Sequence, residues 1–97
     1  MKITKQLQDG RLEVTLVGQL DTLTSPQLEA ELKLEGVCEL AFDISGVEYV
    51  SSAGLRVILN AQKSMNAAQG KMTIAGATEP VMKIFRLTGF AKILTFV

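Results

Sequence analysis

The chain contains no histidine and a single cysteine. Ser-His-Asp and Cys-His catalysis both need an imidazole, and the usual zinc sites need several His or Cys ligands. These are excluded, together with any intramolecular disulfide. Clustered carboxylates are missing too, which leaves little for a hydrolase or phosphotransfer enzyme to work with, and the expectation is a protein without catalysis of its own. Net charge is lacking as well: ten basic and ten acidic residues cancel. No overall positive field draws the chain to phosphate backbones or anionic lipid, so neither nucleic-acid binding nor membrane insertion is expected. No apolar run approaches the ~18–20 residues that span a bilayer, because Lys63, Lys71, Lys83 and Arg86 interrupt every long apolar tract. Met1 to Gln6 alternates apolar and polar residues instead of leading into an apolar segment, so no secretory signal is expected. A reducing cytoplasm suits the lone Cys38.

What is present is a globular composition, 47% hydrophobic and 21% charged, at a length that supports one domain over residues 1–97. Ile3, Lys5 and Leu7 alternate with Thr4 and Gln6, and Leu12, Val14 and Leu16 alternate with Arg11, Glu13 and Thr15. With Asp9-Gly10 between them, these read as a β-hairpin. Thr24, a capping hydroxyl, and Pro26 precede Leu28, Ala30, Leu32 and Leu34, and predict a helix over about 26–34 that Gly36 stops. Val37 to Ile44 reads as a central strand covered on both faces. The segment from Ser45 to Ser52 reads as a loop, and Ser51 or Ser52 as the N-cap of a long helix closed by Gly70. Met72 to Ala75 predicts a strand, and Thr78 a capped helix up to Gly89 with Val81, Ile84, Phe85 and Thr88 on one face. Ile93 to Val97 predicts a last strand. The order β-β-α-β-α-β-α-β implies an α/β fold with a mixed, mostly parallel sheet of about five strands and three or more helices, its crossovers right-handed.

Sites in such sheets gather beyond the carboxyl ends of the parallel strands. Two segments leave those ends: Gly18-Gln19-Leu20-Asp21-Thr22 and Ser45 through Gly54. Asp21 is a turn former or a partner-facing acid. If one of the adjacent serines caps the helix, the other keeps a free hydroxyl. Gly54 in the first turn costs up to ~1 kcal/mol relative to Ala, so it must pack closely or clear space over the backbone. Helix N-terminal amides favour a phosphate carried on Ser51 or Ser52. Neither serine has an adjacent base, which makes the hydroxyl an acceptor of a group and not an attacking nucleophile. Charge is also split along the chain, with four basic and nine acidic side chains in residues 1–50 and six and one in 51–97. Arg56, Lys63, Lys83 and Arg86 are therefore candidates for one basic patch. Cys38 reads as a small buried hydrophobe, and Met65 and Met72 as gap fillers.

The run from Asp43 to Leu59, with Ser51-Ser52-Ala53-Gly54-Leu55 at its centre, resembles the signature of STAS domains of the anti-sigma factor antagonist type. Gly18-Gln19-Leu20-Asp21 is similar to that family's early Gly-x-Leu-Asp, and Val81 to Phe90 to its last helix, so the resemblance covers nearly the whole chain. It implies a STAS-type fold and a partner switch. The acceptor serine of the family maps to Ser52. Ser51 stands where the family usually has aspartate and Ala53 where it commonly has Ser or Thr, which keeps Ser51 as the competing acceptor. The implied partner surface contains Asp21, Ser51, Ser52, Gly54 and Arg56. The implied partners are an anti-sigma factor or serine kinase with a GHKL-type ATP fold, bound while the protein is unphosphorylated and released by phosphorylation, and a PP2C-type phosphatase that resets the switch. The alternative is a non-switching STAS scaffold, such as an accessory subunit of a transporter or signalling complex, in which the serines merely cap the helix.

Overall fold

The computed structural model describes residues 1–97. β1 (Lys2–Gln8) and β2 (Arg11–Leu20) form the antiparallel hairpin. Its two-residue turn places both Asp9 and Gly10 at positive φ, 52° and 80°, which suits the right-handed twist of the flanking strands. β3 (Glu39–Val50) and β4 (Lys71–Ala75) then add in parallel, giving the spatial order β1-β2-β3-β4. α1 (Ser25–Glu31) links β2 to β3, α2 (Ser52–Ala67) links β3 to β4, and α3 (Glu79–Leu87) follows β4. Each crossover steps the same way along the sheet, so right-handed connections put the helices on one face. Burial shows which: Leu12, Val14 and Leu16 of β2, Leu40, Phe42 and Ile44 of β3, and Met72 and Ile74 of β4 lie in a core of 21 residues beneath the helices. Arg11, Glu13 and Asp43, which alternate with them, are exposed on the other face. β3 is therefore covered on one face only, not on both.

Several boundaries differ from those read in the sequence. β3 begins at Glu39 and continues through the segment Ser45 to Val50 that reads as a loop. Register shifts against β2 between Thr15 and Val17 and between Gly18 and Gln19 break the alternation, so Ile44, Val47 and Val50 are buried three residues apart. α1 ends at Glu31; Leu32 and Leu34 pack against the core without being helical. The predicted last strand is replaced by a 3-10 turn over Phe90–Lys92, entered through Gly89 at φ 80°. Only one parallel bridge, Ile74 to Phe96, remains of it, so the sheet has four strands. Phe96 still closes the core, its ring meeting Phe85 edge-on at 5.1 Å. Cys38 is exposed, not buried, because its amide is drawn to the Gly10 carbonyl at the hairpin end, 2.7 Å away. Met65 and Met72 are both buried. The hydroxyls of Thr24 and Thr78 do not cap the helices that follow them.

Candidate functional site

β2 and β3 run parallel and end together, with Leu20 opposite Val50. The chain leaves β3 into Ser51, whose amide donates to the Leu20 carbonyl at 2.8 Å. α2 then starts against Leu20. A Cβ added to Gly54 would stand 2.7 Å from both the Cγ and the carbonyl oxygen of Leu20. Close packing, and not the clearing of space over the amides, is therefore what requires glycine here. Leu20 was not singled out in the sequence; the glycine in the first helical turn is the signal that something must approach it. One amide bond and one glycine contact thus tie the start of α2 to the end of β2, and with it the residues on either side, Asp21 and Ser52.

The two serines divide the work. Ser51 is the N-cap, extended at φ −87° and ψ 174°, and its side-chain oxygen accepts the Gly54 amide at 3.3 Å. Ser52 is the first residue of α2, exposed, with a hydroxyl that makes no hydrogen bond within the protein. Arg56 lies one turn along the same helix, also exposed and in no ion pair with the protein's acids. Residues four apart share a helical face, so an anion at Ser52 would have both the α2 N-terminus and a guanidinium within its reach.

Asp21 is a turn former. Its Oδ1 accepts the amides of Leu23 at 2.9 Å and Thr24 at 3.0 Å. Its carbonyl accepts the amide of Ser25, 2.9 Å away. Thr24 closes the turn by accepting the Asp21 amide and donating to the Gln19 carbonyl. All of the carboxylate's bonds fall on Oδ1, so Oδ2 stays open. The Thr24 amide, with the Leu23 amide, holds the Asp21 carboxyl below its ordinary pKa. The Asp43 carboxyl is lowered by the Ser45 amide and hydroxyl. A carboxyl depressed by folding stabilises the native state above its unfolded pKa, near 3.9, and that contribution is lost as pH falls through the lower folded value. With no histidine to titrate, the melting temperature is expected to hold from pH 8 to about 5 and to fall below pH 4. Asp21→Asn and Asp43→Asn should each flatten the acid limb in a calorimetric pH series.

None of the depressions of the molecule is lined by Asp21, Ser51, Ser52 or Arg56. The depressions of the molecule lie elsewhere, including one of about 430 Å³ lined by Ser45, Gly46, Val47, Glu48, Thr78 and Pro80. No group of three His, Cys, Asp or Glu side chains is arranged to hold a metal ion. No helix is long and apolar enough to cross a membrane. A hydroxyl outside these depressions has no enclosing pocket of the kind that holds a small substrate. Of the four cations proposed for one basic patch, Arg86 is paired with Glu79 of its own helix, while Arg56, Lys63 and Lys83 are in no ion pair.

Residues 2–97 match the family model described as the STAS domain. BtrV of Bordetella bronchiseptica, whose name assigns it as an anti-sigma factor antagonist, is 34% identical over 96 residues, which is 96% of this chain and 83% of that protein. The anti-sigma-B factor antagonist of Listeria monocytogenes is 27% identical over 93 residues, 93% of this chain and 82% of that one. The fold overlays on the anti-sigma factor antagonist SpoIIAA in its unphosphorylated form with a TM-score of 0.85 at 16% identity, covering 99% of this chain and 88% of that one. On Bacillus SpoIIAA in the phosphorylated form the TM-score is 0.78 at 15% identity, covering 99% and 91%. With the serine rim in place at the start of α2 and a family match running from Lys2 to Val97, the chain belongs to the STAS domain family, in its anti-sigma factor antagonist type.

Proposed function

We propose that the protein is a partner switch whose state is written on Ser52. Unphosphorylated, it binds an anti-sigma factor or serine kinase with a GHKL-type ATP fold in the cytoplasm. Phosphate on Ser52 releases it, and a PP2C-type phosphatase restores it. The observation that carries this reading is the division between the serines. Ser51 has its oxygen engaged by the Gly54 amide, while the Ser52 hydroxyl is exposed and unbonded, so Ser52 alone can be modified without dismantling the helix cap.

The chemistry of transfer supplies the release. To accept a phosphoryl group, the hydroxyl must come within about 3–3.5 Å of the reacting phosphorus, in line with the leaving oxygen. Once transferred, the phosphate on Ser52 faces the terminal phosphate of the nucleoside diphosphate left in the kinase. Like charges at that distance repel. The same phosphate is welcome on its own protein, where the α2 N-terminus and Arg56 both favour it. Bound state and released state therefore differ at the interface and share one fold.

Incubation with the purified kinase and ATP, followed by intact-mass measurement, tests the assignment. The native chain should gain one phosphate, Ser51→Ala should still gain one, and Ser52→Ala should gain none. Ser51→Ala should melt lower, since removing an N-cap hydroxyl costs about 1 kcal/mol. Loss of phosphorylation in Ser51→Ala with retention in Ser52→Ala would move the site to Ser51. No phosphate on the native chain would favour the non-switching scaffold.

A further inference from the structure

Leu23 is 88% exposed, more than any other large apolar side chain of the protein. Single exposed apolar residues are common on protein surfaces, but Leu23 is not carried on a loose loop. Its own amide is bonded to Asp21 Oδ1 at 2.9 Å, and the turn around it is closed by the Thr24 amide on Asp21 Oδ1, by the Asp21 amide on the Thr24 oxygen and by the Thr24 hydroxyl on the Gln19 carbonyl. It stands three residues beyond Leu20, the residue that receives the Ser51 amide. Tyr49, opposite Gln19 in the β2–β3 register and two residues before Ser51, is 48% exposed. An exposed aliphatic side chain thus follows the end of β2 and an exposed amphipathic ring precedes the end of β3, the two strand ends that the Ser51 amide joins.

We infer that Leu23, with Tyr49, is the apolar anchor by which the kinase proposed above seizes this rim, Asp21 serving to hold Leu23 out in the docking position. The inference rests on the Ser52 reading and adds what the kinase grips. A specific protein interface covers about 800 Å² on each partner, a patch of roughly 16 Å radius. The whole molecule measures 33 × 27 × 20 Å. A kinase that brings a nucleotide onto the Ser52 hydroxyl therefore covers the turn joined to it through Leu20. Binding energy concentrates in a few central residues that fill well-packed pockets on the partner. A backbone already fixed by its turn has no loop to order on docking, and a tyrosine offers area with a polar end. The kinase surface is accordingly expected to present an apolar pocket beside its nucleotide opening.

The test is a binding titration and steady-state phosphorylation with the purified GHKL-type serine kinase loaded with ADP or ATP. Leu23→Ala is expected to weaken binding about tenfold or more and to raise KM for phosphorylation with kcat kept, and Tyr49→Ala to do so to a smaller degree. Melting of Leu23→Ala should match the native chain, because the side chain touches solvent. Leu7→Ala is the control: it is 63% exposed but lies beside Leu12 at the far end of the sheet, and its binding should not change. If Leu23→Ala binds like the native chain, or if Leu7→Ala is weakened equally, the anchor is wrong. Should Ser52→Ala nonetheless lose phosphorylation in that same series, the Ser52 reading stands without it. A native chain that the kinase neither binds nor phosphorylates overturns both.

Discussion

Ser52→Asp is expected to lose about a hundredfold or more in affinity for the kinase while melting at or slightly above the native temperature. The stability half follows from position. Ser52 is the first residue of a 16-residue helix and is exposed, so replacing it removes no buried contact. A carboxylate there gains roughly 0.3–1 kcal/mol from the helix dipole and about 0.3–0.5 kcal/mol from Arg56 four residues on. The binding half follows from charge. At an effective dielectric near 20, two unit charges 5 Å apart repel by about 3 kcal/mol, and a hundredfold in affinity is about 2.7 kcal/mol. One carboxylate against one nucleotide phosphate therefore suffices, and a phosphoserine, with a charge near −1.5 to −2, exceeds it. Ser52→Ala carries no charge and should bind as the native chain does, but ATP will no longer release it. Calorimetric melting beside binding titrations of both variants checks this. A Ser52→Asp protein that melts well below the native chain would show that release works by local unfolding and not by repulsion at the interface.

How far the site was legible in the sequence depends on whether each feature is local. Asp9-Gly10 and the Ser51 cap are short-range signals, and the structure has the hairpin and the start of the long helix where they place them; the far end differs, because Gln69 at φ 58°, and not Gly70, takes the left-handed position after Ala68. The bulged half of β3 was hidden because its buried residues follow a spacing of three, which belongs to neither a flat strand nor a helix. The last strand failed for a competing local reason: Gly89 at positive φ turns the chain into a 3-10 segment, and only the residues around Phe96 reach β4. Asp21 was placed on the correct turn, but that it organises the turn through Oδ1 depends on where Leu23 and Thr24 fold back. Its alanine variant would disturb the turn as well as the charge, so Asp21→Asn, which keeps an acceptor oxygen, is the cleaner probe of a partner contact. The charge row counted Arg86 as a free cation, and whether it is free depends on a neighbour that a count does not show: it is paired with Glu79 on its own helix. The contact of Leu20 with Gly54 was hidden because the two are 34 residues apart along the chain.

That contact sets the second large effect, in Gly54→Ala. The added Cβ would meet the Leu20 carbonyl oxygen and Cγ at 2.7 Å and Cδ2 at 3.1 Å. Leu20 is 1% exposed, so its side chain has no empty space to enter. Its carbonyl already holds the Ser51 amide at 2.8 Å, so moving it away from α2 strains that bond. The start of α2 must instead lift from the end of β2. Overpacking of this kind costs about 1–3 kcal/mol, and the gain of up to ~1 kcal/mol from replacing glycine in a helix offsets only part of it. For a chain of this size each kcal/mol moves the melting temperature by about 4–8 °C, so a fall of roughly 10 °C is expected. Function should fall with it, since lifting the first turn displaces the Ser52 hydroxyl from Asp21 and the turn beside it. Leu20→Ala removes the Cγ collision but not the one with the carbonyl, and by itself opens a cavity costing about 2–5 kcal/mol. The double variant should therefore lose less than the sum of the two single losses. Ser52→Ala, two residues earlier in the same turn and exposed, is the control that keeps the native melting temperature. A Gly54→Ala protein that melts within a degree or two of native and is phosphorylated at the native rate would show that the end of β2 yields freely, and that Gly54 does not set the rim.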